Sequence, residues 1–359
     1  MKELRLMKGN EALAEAAIRA GTDGYFGYPI TPQSEIIEYL MTENPYKKTG
    51  MVVLQAESEI ASINMVYAGS ACGKKVMTTS SSPGISLMLE GISYIAGAEL
   101  PCLIVNVQRG GPGLGTISPA QSDYFQTTKG GGHGDYRLFT LAPSSVQEMY
   151  DFVKLGFDMA FKYRNPAMIL SDGVIGQMME KVEVGDYYPR WTKEEIKQKN
   201  PWTLVGKTPD RERNIITSLD LVPEEQEKKV WKLDDKYESM KQDIMYESLL
   251  CDDAEYLLVA YGSSARICQK AMELMREEEI KVGLFRPITL YPYPSEILKE
   301  FSKHVKGILS VEMNTGQMIE DIRLAVECKI KVEHFGRTGG IIPSPEEVVS
   351  AIKNNIIQK

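Results

Sequence analysis

The sequence predicts an α/β fold: a parallel sheet covered on both faces, followed by a second, smaller α/β domain. Three observations carry this expectation. Short apolar strands alternate with amphipathic helices through residues 1–185, a charged stretch over 186–250 interrupts them, and the alternation restarts over 251–359.

Residues 10–21 ("NEALAEAAIRAG") predict a helix. Asn10 can cap it, Leu13, Ala16, Ala17 and Ala20 form a stripe, and Gly21 stops it. "TDGYFGYPITP" predicts a strand running into a loop, and "QSEIIEYLMTE" the next helix. The strands "GMVVLQAES", "KKVMTTSSS" and "PCLIVNVQR" alternate with the helices "EIASINMVYAGSACG" and "ISLMLEGISYIAGAE". A glycine-rich "GGPGLGT" and a helix near "SSVQEMYDFVKLGFDMAFKYR" lead to the strand "AMILSD". Over 186–250, charge is dense and apolar residues sparse, which predicts a solvated connector with a charged helix. Beyond it, "EYLLVAYG", "KVGLFRP", "HVKGILSVEMN" and "KIKVEHFG" predict strands, with helices between them and a closing helix at "SPEEVVSAIKNN".

Composition narrows the function. Of 359 residues, 43% are hydrophobic and 25% charged, ordinary for a globular protein. A net charge of −8 argues against general binding to a nucleic-acid backbone. No apolar run is long enough to predict a membrane span, and the charged N-terminus predicts no export. Five scattered cysteines without a C-x-x-C pair predict neither a zinc site nor a self-contained iron–sulfur site, so no metal ligands are assigned. Reduced thiols fit a cytoplasmic protein.

The chemistry-bearing residues cluster where strands end. Glu57 and Glu59 sit where a strand meets a helix N-terminus, the edge at which open parallel sheets bind ligands. Either could simply favour the helix dipole. The helix they open is rich in small residues (Ala61, Ala68, Gly69, Ala71), which would admit another backbone or a flat ligand, and a hydroxyl-and-glycine loop, "TTSSSPG", follows the next strand. Thr31 lies between prolines in "GYPITP", and Arg109 ends a strand at "GGPGLG". That loop lacks the spacing of a dinucleotide fingerprint. His133, in "KGGGHGD", suits a flexible partner-facing loop, His304 the surface, and His334 a structural role; "EMNTGQM" reads as a subunit or domain contact.

The order of a helix-opening Glu, a Gly fourteen residues later (Gly73), a strand and a Thr/Ser-rich glycine loop resembles the aminopyrimidine-binding domain of thiamine diphosphate enzymes. The spacing to Gly73 favours Glu59 over Glu57. With "GYFGYPITPQSE", "VNVQRGGPGLGT", "SDGVIGQ", "LFRPITLYPYP" and "VEMNTGQM" in order, the chain resembles the alpha-type subunit of 2-oxoacid:ferredoxin oxidoreductases. The second domain then looks like the transketolase C-terminal type. The resemblance implies that Glu59 bonds the cofactor's N1′ nitrogen and activates it. It implies that Thr31 and Arg109 bind the substrate carboxylate, and that Tyr28, Pro29 and Ser82 border the cofactor. "MKGNEALAEAAIRAGTDGYFGYPITPQSE" looks most like the branched-chain type, acting on 3-methyl-2-oxobutanoate, with the 2-oxoglutarate type as the alternative. A non-catalytic assembly subunit, or a transketolase-like half-enzyme, is a further alternative.

The Gly-Asp-Gly motif that holds the diphosphate through Mg²⁺ does not occur in the sequence. The resemblance therefore implies thiamine diphosphate shared with a beta-type subunit that carries the Mg²⁺ site. It also implies gamma-type and ferredoxin-like subunits with the iron–sulfur clusters, ferredoxin as acceptor, and coenzyme A as co-substrate.

Overall fold

The computed structural model describes residues 3–207, 209 and 212–358; residues 208, 210 and 211 of the expected connector lie outside the described residues. In the first half, β1 (Glu3–Lys8), α1 (Gly9–Arg19), β2 (Gly24–Gly27), α2 (Ser34–Glu43) and α3 (Pro45–Thr49) precede β3 (Val52–Gln55) and α4 (Glu59–Ala71). Then come β4 (Val76–Ser80), α5 (Ser82–Gly97), β5 (Cys102–Gln108), α6 (Tyr124–Thr128), β6 (Phe139–Leu141), α7 (Val146–Tyr163), β7 (Pro166–Asp172), α8 (Gly173–Gln177) and β8 (Met179–Val184). After α9 (Lys193–Lys199) and α10 (Pro223–Ser239), the second half holds β9 (Tyr246–Leu249), β10 (Tyr256–Val259), α11 (Gly262–Glu277), β11 (Val282–Pro287) and β12 (Thr289–Tyr291). It ends with α12 (Ser295–Ser302), β13 (Gly307–Glu312), α13 (Met318–Ala325), β14 (Val332–Gly336) and α14 (Pro345–Ile352).

The larger sheet has the order β12-β6-β7-β5-β4-β2-β3 and is parallel except for β12. Every residue of β4, β5 and β7 is buried, so both faces of its centre are covered. The smaller sheet runs β14-β13-β10-β11-β9, antiparallel only at β9. A third, two-stranded ribbon pairs β1 with β8.

Several elements depart from the local reading. Asn10 does not cap α1. Lys8 holds the N-cap position, and the Asn10 amide reaches Pro32 O (2.8 Å) and Glu35 Oε2 (2.9 Å). Residues 246–249, within the expected connector, form the edge strand β9. The charged helix of the connector is α10, with Leu233 and Tyr237 as its buried contacts. The small residues of α4 serve packing: a Cβ on Gly69 would lie 2.8 Å from Val76 Cγ1 of β4.

The two halves are bound together by polar contacts at the carboxyl ends of their strands. Gln121 is fully buried; its amide donates to Tyr261 O (2.9 Å) and accepts from Ser264 Oγ (2.7 Å) and Met313 N (3.1 Å). Asp172, at the end of β7, caps α8 through Val174 N and Ile175 N and accepts from Ser263 N and Oγ at the start of α11. Burial raises its pKa, and those same hydrogen bonds oppose the rise. Arg286 forks onto both oxygens of Glu148 at 2.7 and 2.8 Å. The segment "EMNTGQM" joins this contact: Asn314 Nδ2 donates to Gln121 O, while buried Glu312 accepts from Met318 N and Ile319 N at the start of α13.

Gln121→Ala strands three buried partners at once. It is expected to lower the unfolding free energy by about 3 kcal/mol in urea titration; a loss of less than ~1 kcal/mol would show that water replaces the amide without penalty.

Candidate functional site

The site is assembled from the segments that follow β2, β3, β4 and β5. Glu59 is the first residue of α4 and is 6% exposed; Ser58 caps the helix by accepting from Ala61 N at 3.2 Å. Glu57, two residues earlier, is exposed and accepts a hydrogen bond from Ser58 Oγ. Among the described residues the Glu59 carboxylate has no hydrogen-bond partner. It faces the first turn of α5. A Cβ on Gly84 would lie 2.6 Å from Glu59 Oε1 and 2.0 Å from Ser80 Oγ, so only glycine lets these two side chains approach α5 so closely. The Ser80 hydroxyl is likewise buried without a partner. A largely buried carboxylate without a protein partner can accept a hydrogen bond from an N–H group that approaches it.

Arg109 follows β5 directly and is 8% exposed. Its guanidinium donates to Thr31 O (3.0 Å) and Leu114 O (3.4 Å), while Nε is buried without a partner. No carboxylate among the described residues forms an ion pair with it. The glycine loop it opens is closed by Thr116 N donating to Gly110 O (2.8 Å). At Gly115 (φ +58°), a Cβ would lie 1.9 Å from that same oxygen.

The structure thus joins Thr31 to Arg109 through the Thr31 carbonyl; the Thr31 residue is exposed. Ser82, the first residue of α5, also meets Arg109: its Oγ lies 3.0 Å from Arg109 N and 3.2 Å from Arg109 O. Tyr28 is exposed and Pro29 half-buried on the same loop as Thr31. Glu59 and Arg109 have no direct contact with each other; the first turn of α5, with Ser82 and Gly84, touches both.

Sequence reasoning missed the residues that hold the Thr31 loop. Fully buried Gln33 donates to Tyr28 O (3.1 Å) and accepts from Thr79 Oγ1 (2.5 Å), which in turn pairs with Tyr25 Oη (2.7 Å). Burial pushes the Tyr25 phenol well up. Asn10 and Gln177 both donate to Pro32 O. Gln33, Asn10 and Gln177 all lie inside stretches that carry the resemblance, "MKGNEALAEAAIRAGTDGYFGYPITPQSE" and "SDGVIGQ", but nothing local shows that they hold this loop. His133 and His304 are exposed, and His334 is partly buried with its pKa lowered by burial.

A cleft of about 640 Å³ opens beside Arg109 and Ser82, between the Gly110–Gly113 loop and residues Met313–Gln317 and Thr338–Gly339 of the second half. It lies where the carboxyl ends of β5, β13 and β14 converge. No group of three or more His, Cys, Asp or Glu residues suited to a metal occurs among the described residues, and none of their helices is long and apolar enough to cross a membrane.

Two α/β units meeting at the carboxyl ends of their strands, with a buried carboxylate opening a helix there, place the chain in the thiamine diphosphate class. The profile of the pyruvate flavodoxin/ferredoxin oxidoreductase family, thiamine diphosphate-binding, matches residues 15–242, and that of pyruvate:ferredoxin oxidoreductase core domain II matches 254–348. The chain belongs to this family of 2-oxoacid:ferredoxin oxidoreductases and is a subunit of such an enzyme. It is 47% identical to ketoisovalerate oxidoreductase subunit VorB of Methanothermobacter thermautotrophicus, over 97% of each chain. It is 37% identical to 2-oxoglutarate synthase subunit KorA of Methanocaldococcus jannaschii, over 98% of this chain and 99% of the other. The 2-oxoglutarate:ferredoxin oxidoreductase of Magnetococcus marinus, solved with 2-oxoglutarate, coenzyme A and succinyl-CoA bound, superposes with a TM-score of 0.81 at 28% identity. That match covers 99% of this chain, which spans 65% of the longer one. A split-gene transketolase matches 98% of each chain with a TM-score of 0.59 at 12% identity, a likeness of fold alone.

Gly84→Ala would push a methyl group onto Glu59 and Ser80. It is expected to lower stability by about 1–3 kcal/mol in denaturant titration; an unchanged midpoint would mean that α5 moves aside freely.

Proposed function

We propose that this chain forms the pyrimidine-binding half of a thiamine diphosphate site in a branched-chain 2-oxoacid:ferredoxin oxidoreductase. Its substrate would be 3-methyl-2-oxobutanoate, and its products the acyl-CoA, CO₂ and reduced ferredoxin. The observation that carries this reading is the pair of uncompensated buried charges, Glu59 and Arg109, on either side of the first turn of α5. Burying an unpaired ion is costly, so such groups persist where a ligand completes them.

The Glu59 side chain suits the coenzyme: glycine at position 84 lets its carboxylate lie close against the first turn of α5, and that carboxylate, without a protein partner, is available to the N1′ atom. When bound, thiamine diphosphate would supply a carbon that, once deprotonated, adds to the 2-oxo group, and a ring that takes up the electron pair left by decarboxylation. The chain's own residues have three tasks. Glu59, 6% exposed, hydrogen-bonds N1′ with its carboxylate. Arg109 takes the substrate carboxylate with its remaining N–H donors, beside Thr31. Tyr28, Pro29 and Ser82 wall the coenzyme side. The fixed Thr31 loop spares ordering entropy when the anion arrives.

A partner is required for the diphosphate end. Ile60 (53% exposed), Leu87 (54%), Leu114 (85%) and Ile117 (64%) are exposed on the elements that carry Glu59, Ser82 and Arg109, and suit docking by a beta-type subunit with the Mg²⁺ site. Gamma-type and ferredoxin-like subunits would hold the iron–sulfur clusters and pass electrons to ferredoxin. The five cysteines, all free, fit a cytoplasmic location. The division of the chain into domains at 1–185 and 251–359 belongs to the same reading. The branched-chain preference rests on the higher identity to the ketoisovalerate enzyme and on the cleft, where Arg109 is the lone cation among the lining residues. A dicarboxylate would call for a second.

In the purified complex with coenzyme A and a viologen dye, 3-methyl-2-oxobutanoate is expected to reduce the dye with a higher kcat/KM than pyruvate or 2-oxoglutarate. A preference for 2-oxoglutarate would reassign the substrate, and no reduction with any of the three would remove the activity. Arg109→Ala is expected to raise KM for the 2-oxoacid roughly 10- to 100-fold, the scale of a lost charge-assisted bond; an unchanged KM would place the carboxylate elsewhere.

A further inference from the structure

Asp123 occupies the N-cap position of α6, where an aspartate ordinarily accepts from the helix's own N–H groups. Here it makes no such cap. Its Oδ2 turns inward and accepts from Ser82 Oγ at 2.5 Å and from Asn106 Nδ2 at 2.9 Å, and its N–H donates to Gln108 Oε1 at 3.0 Å. Asn106 and Gln108 are both fully buried on β5. Burial raises the Asp123 pKa, and the Ser82 and Asn106 hydrogen bonds counter the rise.

Ser82 has one hydroxyl proton. The short contact to the carboxylate claims it, which leaves the Oγ lone pairs directed at Arg109 N (3.0 Å). Without the carboxylate, the same proton can swing to Arg109 O, 3.2 Å away. Asp123 therefore decides which way the Ser82 hydroxyl points, and Ser82 pins the backbone from which the Arg109 guanidinium extends to Thr31 O.

We propose that Asp123 is a positioning residue for the 2-oxoacid: by orienting Ser82, it fixes the Arg109 main chain and so sets the guanidinium that receives the substrate carboxylate. The proposal rests on the reading of Arg109 as the carboxylate anchor. It adds Asp123 and Asn106 to the functional residues, and it gives Ser82 a task on the substrate side as well as beside the coenzyme.

The test uses the assembled complex. Asp123→Ala is expected to raise KM for 3-methyl-2-oxobutanoate about 5- to 20-fold and, by leaving the buried Asn106 amide without its acceptor, to lower the thermal midpoint by a few degrees, while kcat and the calorimetric affinity for thiamine diphosphate stay within about twofold of wild type. Asp123→Asn, whose amide oxygen still accepts from Ser82, is expected to recover most of the KM. In an Arg109→Ala background, Asp123→Ala is expected to add nothing. An equal KM rise in that background, or no rise in the single variant while Arg109→Ala does raise KM, overturns the proposal. So does a parallel loss of midpoint and coenzyme affinity beyond a few degrees and about twofold, which marks a structural role; if Asp123→Ala does not fold, Ser82→Ala, which removes the hydroxyl that Asp123 orients, is expected to give the same KM rise alone and none in the Arg109→Ala background. An unchanged KM in Arg109→Ala alone overturns the anchor reading itself and this proposal with it.

Discussion

Two largely buried charges without a counter-ion, Glu59 on one side of a helix N-terminus and Arg109 on the other, constrain everything around them. A folded chain keeps such groups only where packing and hydrogen bonding elsewhere outweigh their desolvation. The surroundings meet that demand. The glycine at position 84 lets Glu59 pack closely against α5, and backbone carbonyls rather than carboxylates satisfy two nitrogens of Arg109. A carboxylate at that point would neutralise the guanidinium permanently; carbonyls orient it and leave its charge for a ligand.

The fold places these groups by bringing two sheets together at the carboxyl ends of their strands. The seam is polar: Gln121, Asp172 and Arg286 each bridge from one half to the other with most of their hydrogen-bonding capacity used. A seam satisfied in this way fixes one relative placement, because any slip leaves several buried groups unpaired at once. That rigidity keeps the cleft beside Arg109 open between the loops after β5, β13 and β14. The exchange of β12 into the larger sheet adds a covalent tie across the same seam.

The sequence carried much of this. Long, periodic segments such as "VQEMYDFVKLGFDMAFKY" and fully apolar strands such as "CLIVNV" announce themselves because burial and period coincide. What it did not carry is short or stabilised from afar. β6 and β12 have three residues each and exist through pairing with distant strands. β1 and β8 are half-exposed, with no apolar run to mark them. Asn10 looked like a cap because it stands at a helix start; its actual partner, Pro32, lies 22 residues away. In the site, the spacing to Gly73 favoured Glu59 over Glu57; the structure buries Glu59 and exposes Glu57. Asp123 and Gln177 could not be found that way, since their partners are 41 and 145 residues distant and nothing local distinguishes them from a helix cap or a surface amide.

The central claim is that the Glu59 carboxylate sets the acidity of the coenzyme's reactive carbon. The most direct measurement is the rate at which the C2 proton of thiamine diphosphate exchanges with deuterium in the assembled complex, wild type against Glu59→Gln. The account predicts exchange slower by about a hundredfold or more in the variant, with the coenzyme still bound. Equal rates at equal occupancy would contradict it.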